Sequence, residues 1–298
     1  MALGCATPQS ETVLRASAGL PERVALAVPF HAQGAHQCGP AALAMALGWS
    51  GVAVSPEELA REVFVPGREG SFAVGLVAAA RARGRVPVEV RDLGELLGEL
   101  AAGHPVLVLQ DLGLRLPFLS RPHFAVAVGY DRPAHRLVLH SGTLAHRPIT
   151  FANFERTWRR AGGFAVAVLP PGELPAVPDE ARWLAAAAGL ERAGRRAEAE
   201  AAYRSALARW PDSAAAWLAL GNVALAGERL ADAEHAFRRA TALAPGSAPA
   251  WNNLAHVLHR SGRPAEALAA ARRAVSLGGP HRETARRTLE EIEAASAP

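Results

Sequence analysis

One cysteine stands between a polar, glycine-containing loop and an apolar run in Gln33-Gly34-Ala35-His36-Gln37-Cys38-Gly39-Pro40-Ala41-Ala42-Leu43-Ala44-Met45. The run reads as a buried helix, which puts the Cys38 thiol at a helix N-terminus. Unpaired backbone N–H groups and the macrodipole favour a thiolate there. That is the environment of a cysteine nucleophile. Downstream, His123 heads the apolar, β-rich run Phe124-Ala125-Val126-Ala127-Val128-Gly129-Tyr130-Asp131. A cysteine and a histidine far apart in sequence and adjacent in space are the minimum for thiol-dependent acyl transfer. Each residue also has a plain reading. Cys38 serves as a small buried hydrophobe, His123 as a strand-end histidine bonded to a carbonyl, and Gln33 as a loop amide.

The chain that must position these groups has 298 residues, half of them apolar. It has room for two domains and a sizeable core. The net charge is +4, and every one of the 32 basic residues is Arg. The absence of Lys excludes Schiff-base and P-loop lysine chemistry. No basic run interleaves with aromatics, so no nucleic-acid partner is expected. The two cysteines are Cys5 and Cys38; Cys5 lies in a polar tail, and no disulfide between them is expected. No stretch is long enough to span a membrane. Leu3-Gly4-Cys5-Ala6 resembles the end of a bacterial lipoprotein signal. That resemblance implies a lipid anchor at Cys5 and a periplasmic or membrane-anchored chain. The other reading is a frayed polar tail on a cytoplasmic protein.

Residues 1–22 read as a lead-in, and 23–170 mix helix and strand. Val24–Pro29 reads as a strand entering the cysteine loop, and Gly39–Gly48 as a helix. Ser55-Pro56-Glu57-Glu58-Leu59 carries an N-cap, a proline at the first helical position and early acids, a helix start. Ser71–Arg83 and Leu93–Ala102 also read as helices. Strands are expected at Val86–Val90, Val106–Gln110, Phe124–Tyr130, Arg136–Leu139 and Phe164–Val168. Helices come first and strands later, joined by short turns. The expected fold is α+β, an antiparallel sheet against a helical half. Pro170, Pro171, Pro175 and Pro178 then mark a linker over 171–178.

Residues 179–298 repeat. Trp183, Trp217 and Trp251 are spaced 34 residues apart, and Ala199, Ala233 and Ala267 keep the same register. Tyr203, Phe237 and Ala271 follow, then Ala206, Ala240 and Ala274, with Pro211, Pro245 and Gly279-Pro280 closing the units. The pattern resembles the tetratricopeptide repeat, which implies an all-α solenoid of three helical hairpins. Ala187 and Ala255 depart from the glycine that Gly221 supplies at that position. Residues 282–295 read as a polar capping helix. Asn222, Asn252 and Asn253 lie on the inner helices, where their amides suit a peptide or protein partner in the repeat groove.

Cys38-Gly39-Pro40-Ala41-Ala42-Leu43, with His123-Phe124 through Gly129-Tyr130-Asp131, resembles papain-like cysteine peptidases. The nearer likeness is to the bacteriocin-processing type, which cleaves double-glycine leader peptides. The resemblance covers about residues 24–169 and implies an α+β papain-like domain. It also implies roles. Cys38 attacks a carbonyl as thiolate, and His123 takes the thiol proton and returns it to the leaving amine. The Cys38 N–H and the Gln33 side-chain amide hold the oxyanion. Gln37 is the rival donor, but it adjoins Cys38 and its side chain points elsewhere. Such enzymes place an Asp or Asn on the strand after the histidine strand. Here Leu137-Val138-Leu139-His140-Ser141-Gly142 has no carboxylate or amide, which leaves His140, Ser141 or a backbone carbonyl to orient His123, or a Cys/His dyad with no third member. Asp111 and Asp131 are poorly placed, on a loop and a turn. His36, His104, His135, His146, His256 and His259 lack metal-ligand spacing, so no metal or other cofactor is expected.

Two functions follow. One is a cysteine peptidase acting on a peptide or protein substrate, with repeats that recruit substrate or partner. The alternative is a catalytically inactive papain-like shell that binds peptide and acts as a scaffold through its repeats.

Overall fold

A computed structural model describes residues 19–34, 37–65, 67, 70–113 and 120–295. Cys5, the candidate lipid anchor, and His36 lie outside the described residues. The chain divides into two compact units, 1–195 and 196–298.

In the first unit, helix α1 (Cys38–Trp49) has no polar face, and Gly39 through Leu47 are all buried. A helix apolar all round belongs inside a core. Helices α2 (Pro56–Val63) and α3 (Ala73–Ala82) pack beside it. Ser55 Oγ accepts from the Glu58 N–H at 3.1 Å, and Pro56 opens α2, as the sequence signals predict.

The other side of this core is an antiparallel sheet. Its strands are β1 (Arg23–Ala25), β4 (Val86–Glu89), β5 (Val106–Asp111), β6 (Pro122–Asp131), β7 (Arg136–Ser141), β8 (Leu144–Thr150) and β9 (Ala165–Leu169). They run in the order β4-β9-β5-β6-β7-β8, with β1 paired to β6. Leu107, Phe124, Val126, Val128, Val166 and Val168 from the sheet share one core with α1, α2 and α3. Strand β6 has a bulge between Ala127 and Gly129, and a Cβ at Gly129 would strike the Val24 carbonyl of β1. Only glycine lets the two strands approach there. Strands β2 (Phe64–Val65) and β3 (Gly70–Ser71) form a separate small hairpin.

The N-terminal strand is shorter than expected, ending at Ala25 rather than Pro29. The β2–β3 hairpin was not expected, and its Ser71 lies in β3 rather than at the start of the helix, which begins at Ala73; two larger elements were not expected either. Strand β8 is an edge strand, exposed over most of its length, with Pro148 in it, where a missing N–H costs no ladder bond. Helix α5 (Phe151–Arg160) follows, capped by Thr150, and buries Phe151, Phe154 and Trp158. Each such burial contributes about 1.5–3 kcal/mol.

Helix α4 (Leu93–Ala101) starts at an Asp92 cap and carries a polar anchor. Glu99 Oε2 meets His104 Nδ1 at 2.6 Å, and His104 Nε2 meets Glu173 at 3.0 Å. The other Glu99 oxygen accepts from the Ala176 N–H at 2.9 Å. The Pro-rich stretch is therefore tied to the first unit. So is helix α6 (Glu180–Arg192): Arg182 reaches Glu95 at 3.0 Å and the Glu89 carbonyl at 3.2 Å. Beyond α6, Arg195 Nε donates to the Ala82 carbonyl at 2.6 Å.

The second unit is all helix: α7 (Arg196–Arg209), α8 (Ala214–Ala226), α9 (Leu230–Leu243), α10 (Ala248–Arg260), α11 (Pro264–Leu277) and α12 (Arg282–Ala295). It is a solenoid whose contacts repeat with the sequence. Trp217 Nε1 donates to the Pro211 carbonyl at 2.9 Å, and Trp251 Nε1 to the Pro245 carbonyl at 3.0 Å. Arg229 pairs with Glu200, and Arg263 with Glu234, each at 2.6 Å. Phe237 lies over Gly221 so closely that a Cβ there would collide with its ring. Helix α12 is mostly polar and buries Ala285 and Ile292 at the end of the stack.

Candidate active site

Cys38 is the first residue of α1 and is half-buried with a free thiol. Gln37 caps the helix without a side-chain bond, and no acid occupies the first turn. The positive end of the helix is thus left to an anion at Cys38. The helix start is wedged between two elements. A Cβ on Gly39 would lie 2.9 Å from the Ser71 Cβ and 3.4 Å from the Phe124 ring. Glycine at this position lets α1 seat its first turn directly on β6, at the residue after His123.

His123 is the second residue of β6, and its Nε2 lies 2.9 Å from Ser141 Oγ. The register pairs Val126 with His140, so Ser141 falls beside Ala125. Its side chain shares a face with His123, as a diagonal neighbour. His140 points to the other face. Its Nε2–H donates to the Val28 carbonyl at 3.2 Å, and its Nδ1 accepts from the His146 N–H at 3.2 Å. Of the two candidates for the third position, Ser141 meets the imidazole and His140 is a buried brace. Gln110, opposite His123 on β5, is bound to Thr157 Oγ1 at 2.7 Å.

With Nε2 on Ser141, Nδ1 is the ring nitrogen that this bond leaves open. Burial pushes the His123 pKa down, and the Arg147 guanidinium adds to the shift. The neutral imidazole, a base, is favoured near neutral pH.

Gln33 is 8% exposed and spans two strands. Its Nε2 donates to the Phe124 carbonyl at 3.1 Å, and its Oε1 accepts from the Gly142 N–H at 2.8 Å. Its backbone N–H also donates to the Gly142 carbonyl at 3.0 Å. One Nε2–H is used by Phe124, and the amide carries a second. Gln37 folds the other way, with its Oε1 3.0 Å from where a Gly34 Cβ would stand.

The nearby aspartates are engaged elsewhere. Asp131 pairs with Arg23 at 3.0 Å. Asp111 accepts from the Arg121 and Gly113 N–H groups and from Ser120. Among the described residues, no group of three or more His, Cys, Asp or Glu side chains could hold a metal ion. The sequence reading missed the part of Arg147, whose exposed position on an edge strand gives no local signal.

Comparison with known proteins matches these units separately. The peptidase C39-like family covers residues 25–166. The tetratricopeptide repeat covers 184–248 and 219–281. No curated protein matches the chain. Among solved structures, a Thermobaculum terrenum O-GlcNAc transferase variant is 29% identical over 40% of this chain, with a TM-score of 0.38. The match spans 22% of the transferase's length. YrrB, a tetratricopeptide protein with an unusual peptide-binding site, is 25% identical over 40% of this chain and 61% of its own, with a TM-score of 0.37. A putative C39-like peptidase from Bacillus anthracis is 20% identical over 50% of this chain and 98% of its own, with a TM-score of 0.41. Residues 25–166 of this chain are a peptidase C39-like domain, and residues 184–281 are tetratricopeptide repeats.

Proposed function

We propose that the first unit is a working cysteine peptidase and that the repeats bring it its substrate or partner. The observation that carries this reading is the His123 Nε2–Ser141 bond at 2.9 Å, beside a helix whose first residue is Cys38. The Nε2–H donates to Ser141 Oγ, which fixes the tautomer and leaves Nδ1 as the base. Nδ1 takes the Cys38 proton, and the thiolate attacks the scissile carbonyl carbon. The oxyanion is held by the Cys38 N–H and the second Gln33 Nε2–H. Collapse breaks the C–N bond, and the amine leaves with the proton from Nδ1. His123 then takes a proton from water, whose oxygen displaces the thiolate from the thioester and releases the acid.

Protein-partner binding belongs to the repeats. A peptide segment gripped by Asn222, Asn252 and Asn253 is the finer form of that proposal. Asn253 Nδ2 donates to Asn222 Oδ1 at 2.8 Å, and Asn252 Oδ1 is buried with no partner among the described residues. A lipid anchor at Cys5, holding the domain at a periplasmic membrane surface, remains part of the proposal. Among the described residues, no helix is long and apolar enough to cross a membrane.

One observation favours the alternative, a non-cutting peptide-binding shell: a neutral serine hydroxyl stands where a carboxylate or amide would hold the imidazolium more strongly. Hydrolysis of a quenched-fluorescent peptide mixture separates the two. Cleavage by the full chain that is lost in both Cys38→Ala and His123→Ala supports the peptidase. Cleavage that survives Cys38→Ala defeats it.

A further inference from the structure

Two irregularities beside the sheet each leave a backbone group to be satisfied from outside the ladder. Strand β1 ends at Ala25, and the Val28 carbonyl behind it belongs to a buried residue. On β7 one residue, His140, lies between the pairs Leu139–Arg147 and Ser141–Leu144, whereas β8 places Ala145 and His146 there. His146 takes up the extra length with a φ of 52°, a left-handed conformation that a non-glycine residue adopts at a cost. Its N–H falls outside the paired register. One imidazole serves both groups. His140 is 0% exposed; its Nε2–H donates to the Val28 carbonyl at 3.2 Å, and its Nδ1 accepts from the His146 N–H at 3.2 Å. The neutral ring is fully used, and a second proton at Nδ1 would set N–H against N–H. The surroundings offer such a proton no counter-charge. The Phe30 ring of the entering segment lies edge-on with its centre 5.2 Å away, and the His146 ring of β8 lies at 4.7 Å. Val126 is the partner on β6, and α1, against the same face of the sheet, carries no charged residue. His146 is the titratable group among these, and it opposes a charge on His140.

The residues after His140 reach the site directly. Ser141 Oγ meets His123 Nε2 at 2.9 Å. Gly142 holds Gln33 twice, donating its N–H to Gln33 Oε1 at 2.8 Å and accepting the Gln33 N–H at its carbonyl at 3.0 Å. We propose that His140 is a positioning residue whose neutral ring pins the Val28 segment and the β8 bulge around Ser141 and Gly142, and that its protonation releases them. Mild acid then unlatches Ser141 from His123 and Gly142 from Gln33. The consequence for catalysis rests on the peptidase reading of Ser141 and Gln33, whereas the release itself is read without any cleavage.

Amide hydrogen exchange tests it in the full chain, followed at Gln33, Gly142 and His146 from about pH 7.5 to about pH 5, with each rate divided by its intrinsic rate at that pH. A state that opens by taking up a proton on a histidine of ordinary pKa, about 6.5, gains population about tenfold per pH unit below that value. The three corrected rates therefore rise together about thirtyfold by about pH 5, while those in α1 and β5 stay level. His140→Gln keeps a donor for Val28 and an acceptor for His146 but takes up no proton, so its rates stay at the neutral-pH level of the wild type throughout. Flat wild-type rates overturn the proposal. A rise shared equally by α1 also overturns it, because that is unfolding of the whole unit, and so does a rise that persists in His140→Gln. If His140→Gln does not fold, His31→Gln, His123→Gln and His146→Gln decide. The rise survives all three when His140 is the group that titrates, and its loss in any one overturns the proposal. A chain that shows the rise and cleaves no peptide defeats the peptidase reading and leaves the acid release standing.

Discussion

Removing the Ser141 hydroxyl tests whether His123 and Cys38 act as a pair. Burial and Arg147 both push the His123 pKa down, so an imidazolium there must be held by the Cys38 thiolate and by Ser141. Ser141 is 3% exposed, so water does not replace it readily. A hydrogen bond to a charged group contributes about 1.5–3 kcal/mol, which is about one to two pKa units at 1.36 kcal/mol per unit. In Ser141→Ala the thiolate–imidazolium pair is weakened by that amount. The Cys38 alkylation rate, followed with iodoacetamide from pH 4 to 10, then falls by about tenfold or more on the plateau below the free-thiol limb, because the neutral imidazole–thiol pair gains over the thiolate–imidazolium pair by that factor. The rate at pH 6 falls about tenfold. Ser141→Asp raises that plateau, because a carboxylate holds the imidazolium more strongly than a hydroxyl. If wild type already shows one limb at the free-thiol pKa, and Ser141→Ala leaves it in place, there is no ion pair and the reasoning fails.

Gln33→Ala lowers kcat about 10²-fold through the lost oxyanion donor. It also lowers Tm, because the Phe124 carbonyl and the Gly142 N–H lose their partner; a kcat at wild-type level would remove Gln33 from the site. His104 is buried, which opposes its charge, but its bonds to Glu99 and Glu173 outweigh burial and raise its pKa. Its stabilisation is full below the unfolded value near about 6.5 and is lost as pH rises through the folded value. Tm should therefore decline across that alkaline window, and His104→Gln should flatten the decline; parallel Tm curves would contradict the linkage. A chain ending at residue 195 keeps the Arg182 bonds to Glu95 and Glu89, whereas one ending at 178 loses them. The shorter chain should melt lower, by about 2–4 °C for each kcal/mol lost, and equal Tm values would mean α6 contributes nothing to the first unit.

Local patterns made α1 and α2 readable. An apolar run behind Cys38 and a Ser-Pro-Glu-Glu start are complete within a few residues. The choice between Ser141 and His140 was not local. It depends on the register Val126–His140, which follows a bulge between Ala127 and Gly129. A one-residue slip would have exchanged the two side chains across the sheet. Strand β8 was invisible because an exposed edge strand shows no apolar alternation, and Pro148 argues against a strand at all. Helix α5 was legible and was passed over: Phe151, Phe154 and Trp158 keep helical spacing behind the Thr150 cap. The repeats were read directly, since each 34-residue unit confirms the next. The sequence could not show that α6, which begins that register at Trp183, is bound to the first unit through Arg182.

The electrostatics of the cleft point one way. The first turn of α1 carries no acid, so its N–H groups are left for an anion. Gln33 is fixed by Phe124 and Gly142 with one Nε2–H still to give. Asp111 and Asp131, the acids nearest in sequence, are held by other groups. A site used only to fill a core would neutralise such donors internally, because unpaired charge and buried polar groups are costly. On the proposed peptidase reading they are left for negative charge that develops during the reaction: a thiolate at Cys38 and an oxyanion beside Gln33.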